Sequence, residues 1–560
     1  MDDIGGWLGR ALAAARAEMA GALAVIRRRG PSQIQFWFIA LTIGIAAGFA
    51  ALLFRNGISV LQTLVYGSDD VRLASVAGTL PWWWVLVVPV LGGLAVGLIL
   101  DRFTPDGRVR AVADVIEGAA LQEGRVERRE GLASAAASLI TLSTGGSSGR
   151  EGPVVHLAAV ISTWVANRLN ASGITGRDLL GCAVAAAVSA SFNAPIAGAI
   201  FALEVVLRHF AIHSFAPIAI ASVAGTVINR LQFGGVTEFA LPPASGLAFY
   251  VELPAFLLLG LTCGLVAAVL MRAVILAEDL GNAIQAATRL PRYLRPAIAG
   301  AILGLTAIWF PHVIGVGYET TSAALTGQIG LKAAIVFAAV KVFAVAVTMG
   351  GRMGGGMFSP SLVVGALTGL AFGLIATGLM PDVSGAETVY ALAGMGAVAA
   401  AVLGAPISTT LIVFELTGDW QTGLAVMTAV SLSTALASRL VDHSFFLTQL
   451  ERRGIHLAAG PQAYLGETIR LGSILRPPDH PRPAPEDACR ALIEEGVVLG
   501  AGQTLEAALR LFERTGAEFI PVTQPAGSGG EAVLVGAVFQ TDALKAYARA
   551  LADAAAEEHS

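Results

Sequence analysis

The chain has 560 residues, of which 55% are hydrophobic and 14% are charged, and its mean hydropathy is +0.70. Soluble globular proteins carry roughly 25% charged residues, so this composition excludes an ordinary soluble protein and indicates a membrane protein. The net charge of -4 gives no indication of nucleic-acid binding. The 65 glycines favour a polytopic helix bundle, in which small residues let helices approach closely. The alternating segments of a transmembrane β-barrel are absent from the sequence.

The first residues are expected to form a cytoplasmic amphipathic helix over 1–32. This stretch, "MDDIGGWLGRALAAARAEMAGALAVIRRRG", is acidic first and then helical and basic, and it lacks the pattern of a cleavable signal. The three cysteines, Cys182, Cys263 and Cys489, fit neither a disulfide framework nor a metal-ligand spacing. No cofactor or metal is therefore expected.

Residues 33–454 are expected to form a transmembrane domain. Four long apolar runs are each able to span a bilayer, which takes roughly 20 residues. Shorter runs between them end at Gly or Pro and predict discontinuous helices, because lipid cannot satisfy a free backbone end. The long runs lie at about 34–54, 82–100, 249–275 and 332–349, and the short ones at 131–142, 153–166, 178–192, 195–207, 360–376, 388–403 and 406–416.

An internal repeat relates the two halves of this domain. "GREGPVVHL" (Gly149–Leu157) and "GMFSPSLVV" (Gly356–Val364) each place a proline four residues after a glycine, at the start of an apolar helix. "NAPIAGAIFALE" (Asn193–Glu204) and "GAPISTTLIVFE" (Gly404–Glu415) follow in the same order. Glycine-interrupted helices at corresponding places of two halves point to a transporter's binding site. The repeats are predicted at about 80–235 and 250–440.

The broken helices favour an anion site. Residues Gly149 to Gly152 deliver the chain to a helix that begins at Pro153, whose missing N–H costs nothing in the first turn. A helix N-terminus carries partial positive charge and unpaired donors, so it binds anions. The repeat supplies a second N-terminus at Gly356–Pro360. Two such ends aimed at one point predict moderate attraction, which lets an ion enter and also leave.

Glu151, next to Arg150, is the candidate gate. Its carboxylate is itself an anion and is able to occupy the place of the permeant ion, and protonation would free that place. Glu151 would then act both as gate and as proton carrier. Ionisable residues inside membrane segments are costly and are functional candidates for that reason. The alternative is a carboxylate that only caps its helix.

These motifs resemble those of the CLC family of chloride channels and proton-coupled chloride exchangers. The resemblance implies an all-α polytopic membrane protein built from inverted repeats of short, tilted and broken helices. It also implies a homodimer with one chloride pathway in each subunit, with Glu151 as the gating glutamate and the amides of Met357 and Phe358 along the anion path. The matching stretches are "GREGP" (149–153), "NAP…E" (193–204), "GMFSP" (356–360), "GAP…FELTG" (404–418) and "LERRGI" (450–455).

Two departures from the family concern the anion. Arg110 stands where the family has a serine, and Phe446 stands where many members have a tyrosine, so both side-chain hydroxyls are missing. Arg110 either holds anions tightly or points to the cytoplasm as an ordinary juxtamembrane charge. Backbone amides are then expected to do most of the anion coordination, and the preference for chloride over other small anions is left open.

A third departure concerns protons. Exchangers of the family often carry a second glutamate one residue past the position of Glu204, where this chain has Val205. Glu204 and His209 are candidates for a proton relay. The alternative is that Glu204 is hydrogen-bonded to a neighbouring helix, as its repeat counterpart Glu415 also suggests. Passive channel and proton-coupled exchanger therefore both remain open.

The composition turns soluble after Gly454. A proline-rich linker is expected over 455–498, and a small α/β cytoplasmic domain that resembles a CBS module is expected over 499–560. Asp542 resembles the family's ribose-contacting acid, but Phe539 stands where a hydroxyl residue is usual. Dimerisation or regulation is expected of this domain rather than nucleotide binding.

Basic clusters set the expected orientation. By the positive-inside rule they put both termini on the cytoplasmic side of a bacterial inner membrane. A secondary transporter of another small anion, such as a carboxylate, is the alternative function. A membrane enzyme is not expected, because "HExxH" and "GxSxG" are absent and "GGSSGREG" lacks the ending of a phosphate loop. The clusters are Arg27–Arg29, Arg125–Arg129 and Arg452–Arg453.

Overall fold

A computed structural model describes residues 32–558, except 172, 211, 236–238, 242–248, 382–383, 458–465, 467–468 and 525–532. The helix expected over 1–32 lies outside the described residues, apart from Ser32. The described residues form two units. The first comprises those of Met1–Phe210 and Ser214–Ile455, and the second those of Ala211–His213 and His456–Ser560.

The first unit is helical throughout its regular structure. Its helices carry apolar residues on nearly every face, which is typical of segments surrounded by other helices or by lipid. They are α1 (Gln33–Tyr66), α2 (Leu73–Ala77), α3 (Trp82–Phe103), α4 (Val112–Leu121), α5 (Arg128–Ser143), α6 (Glu151–Leu169), α7 (Gly173–Phe192), α8 (Pro195–Phe201), α9 (Ile212–Phe233), α10 (Phe249–Thr288), α11 (Arg295–Trp309), α12 (Tyr318–Leu325), α13 (Leu331–Gly350), α14 (Phe358–Leu379), α15 (Glu387–Leu403), α16 (Pro406–Thr417), α17 (Trp420–Leu440) and α18 (Phe445–Glu451).

Seven helical segments among the described residues are long and apolar enough to cross a membrane. This confirms the prediction of a polytopic membrane protein. Four of the seven match the long runs of the sequence, whereas α9 and the segment formed by α17 and α18 were not predicted as spans. The seven are Gln33–Tyr66, Trp82–Phe103, His213–Phe233, Val251–Thr288, Leu331–Gly350, Phe358–Leu379 and Trp420–Glu451.

Helix α14 corrects one expectation. The run 360–376 was expected to be a short, broken helix, but the structure has one continuous helix of 22 residues there. Its glycines are contact points and not breaks. A Cβ on Gly365 would lie 2.4 Å from the carbonyl oxygen of Gly394, and one on Gly369 would lie 2.1 Å from that of Tyr390. Small residues at these places let α14 and α15 pack backbone against backbone.

The short helices α8 and α16 show the inverted repeat directly. Each begins at a proline, and α8 continues as a π-helical turn over Ala202–Leu207. Each also receives a carboxylate from the other helix, which satisfies backbone N–H groups of its first turn. The amides of Ile407 and Ser408 donate to Glu204 at 2.9 and 2.8 Å, and those of Ile196 and Ala197 donate to Glu415 at 3.0 and 2.7 Å.

The second unit is a small α/β domain. Its three strands lie in the order β1-β2-β3, with β1 parallel to β2 and β2 antiparallel to β3. Leu505, Phe512, Ile520 and Val538 are among the residues of its apolar core. Helices and strands thus both occur in the stretch 499–560. The elements are α19 (Glu486–Glu494), β1 (Leu499–Gly500), α20 (Leu505–Thr515), β2 (Phe519–Gln524), β3 (Val533–Phe539) and α21 (Gln540–Glu558).

The stretch expected to be a linker contains regular structure. Besides α19, it has a 3-10 turn at Leu471–Ser473, and Leu471 is buried in the core of the second unit. Arg476 and Ala537 exchange two backbone hydrogen bonds of 2.9 and 3.0 Å, which adds a residue to the edge of β3. The prolines of this stretch precede helix α19 and do not prevent the pairing, because none of them lies at Arg476.

Candidate functional site

Two helix N-termini meet inside the first unit. Gly149 and Gly356 exchange two backbone hydrogen bonds, both of 2.8 Å, which place the starts of α6 and α14 side by side. The approach is so close that a Cβ on Gly152 would lie 3.2 Å from the Cα of Gly356. The structure therefore brings together the two glycine motifs that the sequence repeat paired. The amides of Gly149 and Gly356 are used in this bridge and do not face a ligand.

The Glu151 side chain lies at this junction and is 1% exposed. Its Oε1 accepts a hydrogen bond of 2.7 Å from the hydroxyl of Ser359 and a longer one of 3.4 Å from the hydroxyl of Tyr318. Its Oε2 has no hydrogen-bond partner in the described part of the chain. A helix of one repeat half thus holds the carboxylate of the other half by a single strong bond. An incompletely satisfied buried carboxylate is costly to keep in place.

Arg150 supplies positive charge beside Glu151. Its side chain is 5% exposed, and its Nε lies 3.9 Å from Oε1 of Glu151. The guanidinium also donates to the carbonyl of Ser191 at 3.3 Å and lies 5.0 Å from the centre of the Tyr318 ring. Because Arg150 is held by these contacts, its charge stays in place when the Glu151 side chain moves.

One cavity, of about 60 Å³, opens at the helix N-termini. We call it the inner cavity. Gly152, Met357 and Phe358 line it, and their backbone amides make no hydrogen bond among the described residues, so these amides are available to an anion. The same lining carries the carboxylates of Asp114 and Glu278, and its formal charge is still positive, three charges against two, which favours the entry of anions because of three guanidinium groups. These belong to Arg108, Arg352 and Arg453.

A second cavity, of about 710 Å³, lies on the other side of Glu151. We call it the outer cavity. Arg150 and Tyr318, which contact Glu151, line the outer cavity, while Gly152 lines the inner one. The two cavities share no lining residue. The buried Glu151 therefore lies between Arg150, which lines the outer cavity, and Gly152, which lines the inner cavity.

The Arg110 side chain does not line the inner cavity. Its guanidinium donates to Asp106 at 2.8 Å and also to Glu130, while its backbone amide donates to Ser134 at 2.8 Å. Burial alone would lower the pKa of Arg110, but the neighbouring carboxylates outweigh it and raise that pKa. Arg110 is thus a permanently charged partner of carboxylates, and the expectation that its side chain binds the anion is not supported.

Phe446 lines the inner cavity, as expected, and is 4% exposed. Its ring has no hydrogen-bond donor to offer an anion. We expect Phe446→Tyr to strengthen anion binding about two- to tenfold, since one added hydrogen bond contributes about 1 kcal/mol. Calorimetric titration of purified protein with chloride measures this. Phe343→Tyr is the control, because Phe343 is half exposed and lies outside the cavity. Equal chloride affinity in wild type and Phe446→Tyr would contradict the prediction.

Glu204 is placed away from the gate. Both of its carboxylate oxygens accept from the first turn of α16, including the hydroxyl of Ser408, and Glu204 lines neither cavity. Val205 is buried at 5% exposure, and the amide of His209 closes the π-helical turn by bonding to the carbonyl of Leu203. The geometry of Glu204 is that of a structural cap and does not support a proton relay.

Three residues of this site were not predicted from the sequence. Ser359 lies inside the "GMFSP" motif, and its hydroxyl next to the helix start is a recognisable signal for an anion or carboxylate partner. Tyr318 has no local signal, because the turn before α12 brings it to Glu151. Lys341 is fully buried on α13 and donates to the carbonyls of Val313 and Gly315 at 3.3 and 3.2 Å, which fixes that turn.

In the second unit, Asp542 forms an ion pair with an arginine of the same domain. Its carboxylate pairs with the Arg476 guanidinium at 2.6 Å. The same guanidinium lies 3.9 Å from the centre of the Phe539 ring. The acid expected to resemble a ribose contact is therefore engaged in an ion pair, next to a ring that has no hydroxyl.

The fold and the site define a membrane transport protein built from two inverted halves. The model of the family described as voltage gated chloride channel matches residues 92–438, and the chain belongs to this family. A ClcB-like chloride channel protein of Ralstonia nicotianae is 33% identical over 70% of this chain and 91% of its own length. The voltage-gated ClC-type chloride channel ClcB of Escherichia coli is 30% identical over 73% of this chain and 97% of its own length.

Solved structures share the fold. A slow cyanobacterial Cl-/H+ antiporter superposes with a TM-score of 0.65 at 19% identity, over 76% of this chain and 98% of that one. A CLC-type fluoride/proton antiporter superposes with a TM-score of 0.60 at 19% identity, over 73% of this chain and 96% of that one. The predicted architecture of inverted, broken helices is confirmed by these likenesses.

Proposed function

We propose that this CLC-type anion transport protein moves chloride through a pathway in each subunit that Glu151 gates. The observation that carries the proposal is the position of the Glu151 carboxylate, buried between the inner and outer cavities at the junction of two helix N-termini. Because an anion and this carboxylate seek the same positive region, one excludes the other. When the side chain leaves, the hydroxyls of Ser359 and Tyr318 become donors to the permeant anion.

Protonation is the proposed opening event. A neutral carboxyl group no longer competes with the anion for the helix ends, and it loses its attraction to Arg150. Anion flux is then expected to rise as the pH falls, since the protonated form of Glu151 is the open form. A transmembrane voltage that displaces the charged side chain acts in the same direction.

Backbone groups supply most of the anion's donors in this proposal. Met357, Phe358 and Gly152 line the inner cavity, whereas Arg110 pairs with carboxylates and Phe446 has no donor. Chloride is the proposed ion because the related proteins are chloride channel proteins, and other small anions fit the same chemistry. Transport of protons against the anion is the second form of the function, favoured by the antiporters that share the fold.

The assembly proposed is a homodimer in a bacterial inner membrane, with both termini in the cytoplasm. Large apolar side chains are exposed on the helices α8 and α16 and on their neighbours α9 and α17. Such a surface fits either lipid or a second copy of the chain, and we propose the second copy because the resemblance to the family implies a homodimer. Ile196, Leu231, Ile407 and Trp420 are exposed there. For the second unit we propose a role in pairing or regulation without nucleotide, because Arg476 engages Asp542.

The test is chloride efflux from proteoliposomes with wild type beside Glu151→Gln. We expect wild-type efflux to increase as the pH is lowered and the variant to be at least as fast at every pH, because glutamine carries no charge. Chloride efflux is followed with a selective electrode. No efflux in either protein would contradict the chloride assignment, and the same assay with fluoride, nitrate and a small carboxylate would then identify the anion. Equal pH dependence in both proteins would contradict the gate.

A further inference from the structure

His156 is a buried side chain that the anion pathway does not use. It lies on α6 five residues after Glu151, about 7.5 Å further along the helix axis. The residue is 2% exposed, and its Nδ1 has no hydrogen-bond partner in the described part of the chain. An unpaired buried nitrogen costs about 1–3 kcal/mol of stability, so its presence on α6, the helix of Glu151, indicates a functional role.

The imidazole lines a third cavity, of about 120 Å³. We call it the acidic cavity. One water needs about 10–15 Å³ of such space, so several waters fit beside the ring. Within the described residues, no titratable side chain of α1, α7 or α14 lines it, and Glu130 of α5 pairs with Arg110 at its border. Its charged lining consists of Arg108, Arg110, Asp114, Glu117 and Glu127.

Two carboxyl groups of the acidic cavity are suited to hold protons. Burial, followed by the charge of Asp114, raises the pKa of Glu117. The hydrogen bond with Glu130 raises the pKa of Glu127. Both shifts favour the protonated acid. Burial, followed by the charge of Arg110, lowers the pKa of His156 to about 3, so the imidazole is neutral at rest and holds a proton only in passing. The cavity shares Arg108 and Asp114 with the inner cavity, so the two lie side by side.

Helix α5 packs beside α6, and one face of α5 runs from the His156 ring toward the helix junction that holds Glu151. The ring lies over Gly131, where a Cβ would come within 2.7 Å of its Cε1. Ser138 follows seven residues later on the same face. Its hydroxyl is fully buried and has no partner among the described residues. A Cβ on Gly354 would lie 2.5 Å from the Cα of Ser138, which places Ser138 beside the loop that forms the bridge to Gly149.

We propose that His156 carries protons between the acidic cavity and Glu151. The proposal rests on Glu151 as the gate. The imidazole takes a proton from Glu117 or Glu127, which then recovers one from bulk water. The imidazolium passes a proton toward the Glu151 carboxylate through water and the Ser138 hydroxyl, which releases one proton for each that it accepts. Only N–H and O–H bonds break and form, and one proton moves in total. This route would replace the proton transfer of the second glutamate, which is absent because this chain has Val205 at that position.

Proteoliposomes containing the full chain test this. An imposed chloride gradient drives transport, while a chloride electrode and a pH electrode follow the two ions separately. We expect His156→Gln to lower proton movement at least about tenfold, as for loss of a proton-transfer group, and to change chloride movement by less than about threefold. His156→Glu is expected to restore proton movement, because a carboxyl group titrates and a glutamine does not. Gly131→Ala, which displaces the ring, is expected to act like His156→Gln.

The control is His312→Gln, which changes another buried histidine of the same unit whose Nε2 has no partner among the described residues. It is expected to leave proton movement unchanged. Proton movement that persists in His156→Gln within about twofold of wild type would overturn the proposal. Wild-type chloride flux that responds to Glu151→Gln but moves no protons would overturn the relay and leave the gate intact. Absence of any anion flux would overturn both.

Discussion

Gly149→Ala is expected to reduce anion flux by about five- to a hundredfold, because overpacking at such a contact costs about 1–3 kcal/mol and 1.4 kcal/mol is a factor of about ten in rate. A Cβ at this position would lie 2.7 Å from Oε2 of Glu151, 3.0 Å from the amide nitrogen of Ser359 and 3.2 Å from the carbonyl of Gly356. The carboxylate is able to swing away, but the two backbone groups move only if the bridge between the helix ends opens. Initial rates of chloride efflux from proteoliposomes measure the effect.

Two variants separate the causes. Gly378→Ala is the control, because a Cβ on this glycine of α14 would meet no atom within 4 Å, so the flux of the variant should equal that of wild type. The double variant Gly149→Ala with Glu151→Ala removes the clash with the carboxylate and keeps the clash with the bridge. Full recovery of flux in the double variant would show that only the carboxylate was displaced. Wild-type flux in Gly149→Ala alone would mean that the bridge is not a fixed part of the pathway.

Glu204→Ala and Glu415→Ala are each expected to lower the free energy of unfolding by about 2–6 kcal/mol, since two backbone N–H groups lose their acceptor and each costs about 1–3 kcal/mol. Each carboxylate satisfies two amides at the start of the opposite short helix, Ile407 and Ser408 for Glu204 and Ile196 and Ala197 for Glu415. Lipid offers no replacement for these acceptors. Equilibrium unfolding in detergent micelles measures the loss.

The repeat supplies its own control for this prediction. Since the two caps are equivalent by the inverted repeat, the two variants should lose similar stability, and Glu204→Gln should lose less because its remaining oxygen still accepts. Chloride and proton movement per folded protein should be unchanged in all three. Normal stability in Glu204→Ala together with lost proton movement would instead make Glu204 a proton-transfer residue.

The sequence placed the main parts of the site without the structure. Gly149 and Gly356 mark the start of two helices in corresponding places of a repeat, and the structure joins them by two backbone hydrogen bonds. Glu151 was singled out because a charge inside an apolar region is costly, and it lies between two cavities. These features are local: glycine and proline set the ends of helices wherever the chain goes.

Other parts were beyond sequence reasoning because they depend on which helices are neighbours. The glycines of α14 look like helix breaks until α15 is packed against them, and only then does each become a point of contact. From the sequence, Arg110 is suited either to bind the anion or to face the cytoplasm as a surface charge. The packing decides, because it brings Glu130, 20 positions away, to the Arg110 guanidinium. The stretch before α19 is rich in proline, yet Arg476 finds Ala537 across 61 positions and adds to the sheet.

The sequence by itself determined that this is a membrane protein of repeated, interrupted helices with one carboxylate at a helix start, because composition, spacing and helix-end chemistry act over a few residues. Only the tertiary structure decided what that carboxylate binds. Ser359 and Tyr318, which donate to Glu151, are separated from it by 208 and 167 positions. The physical reason is that a hydrogen bond needs its atoms within about 3 Å, and in this site the packing of the two halves sets those distances.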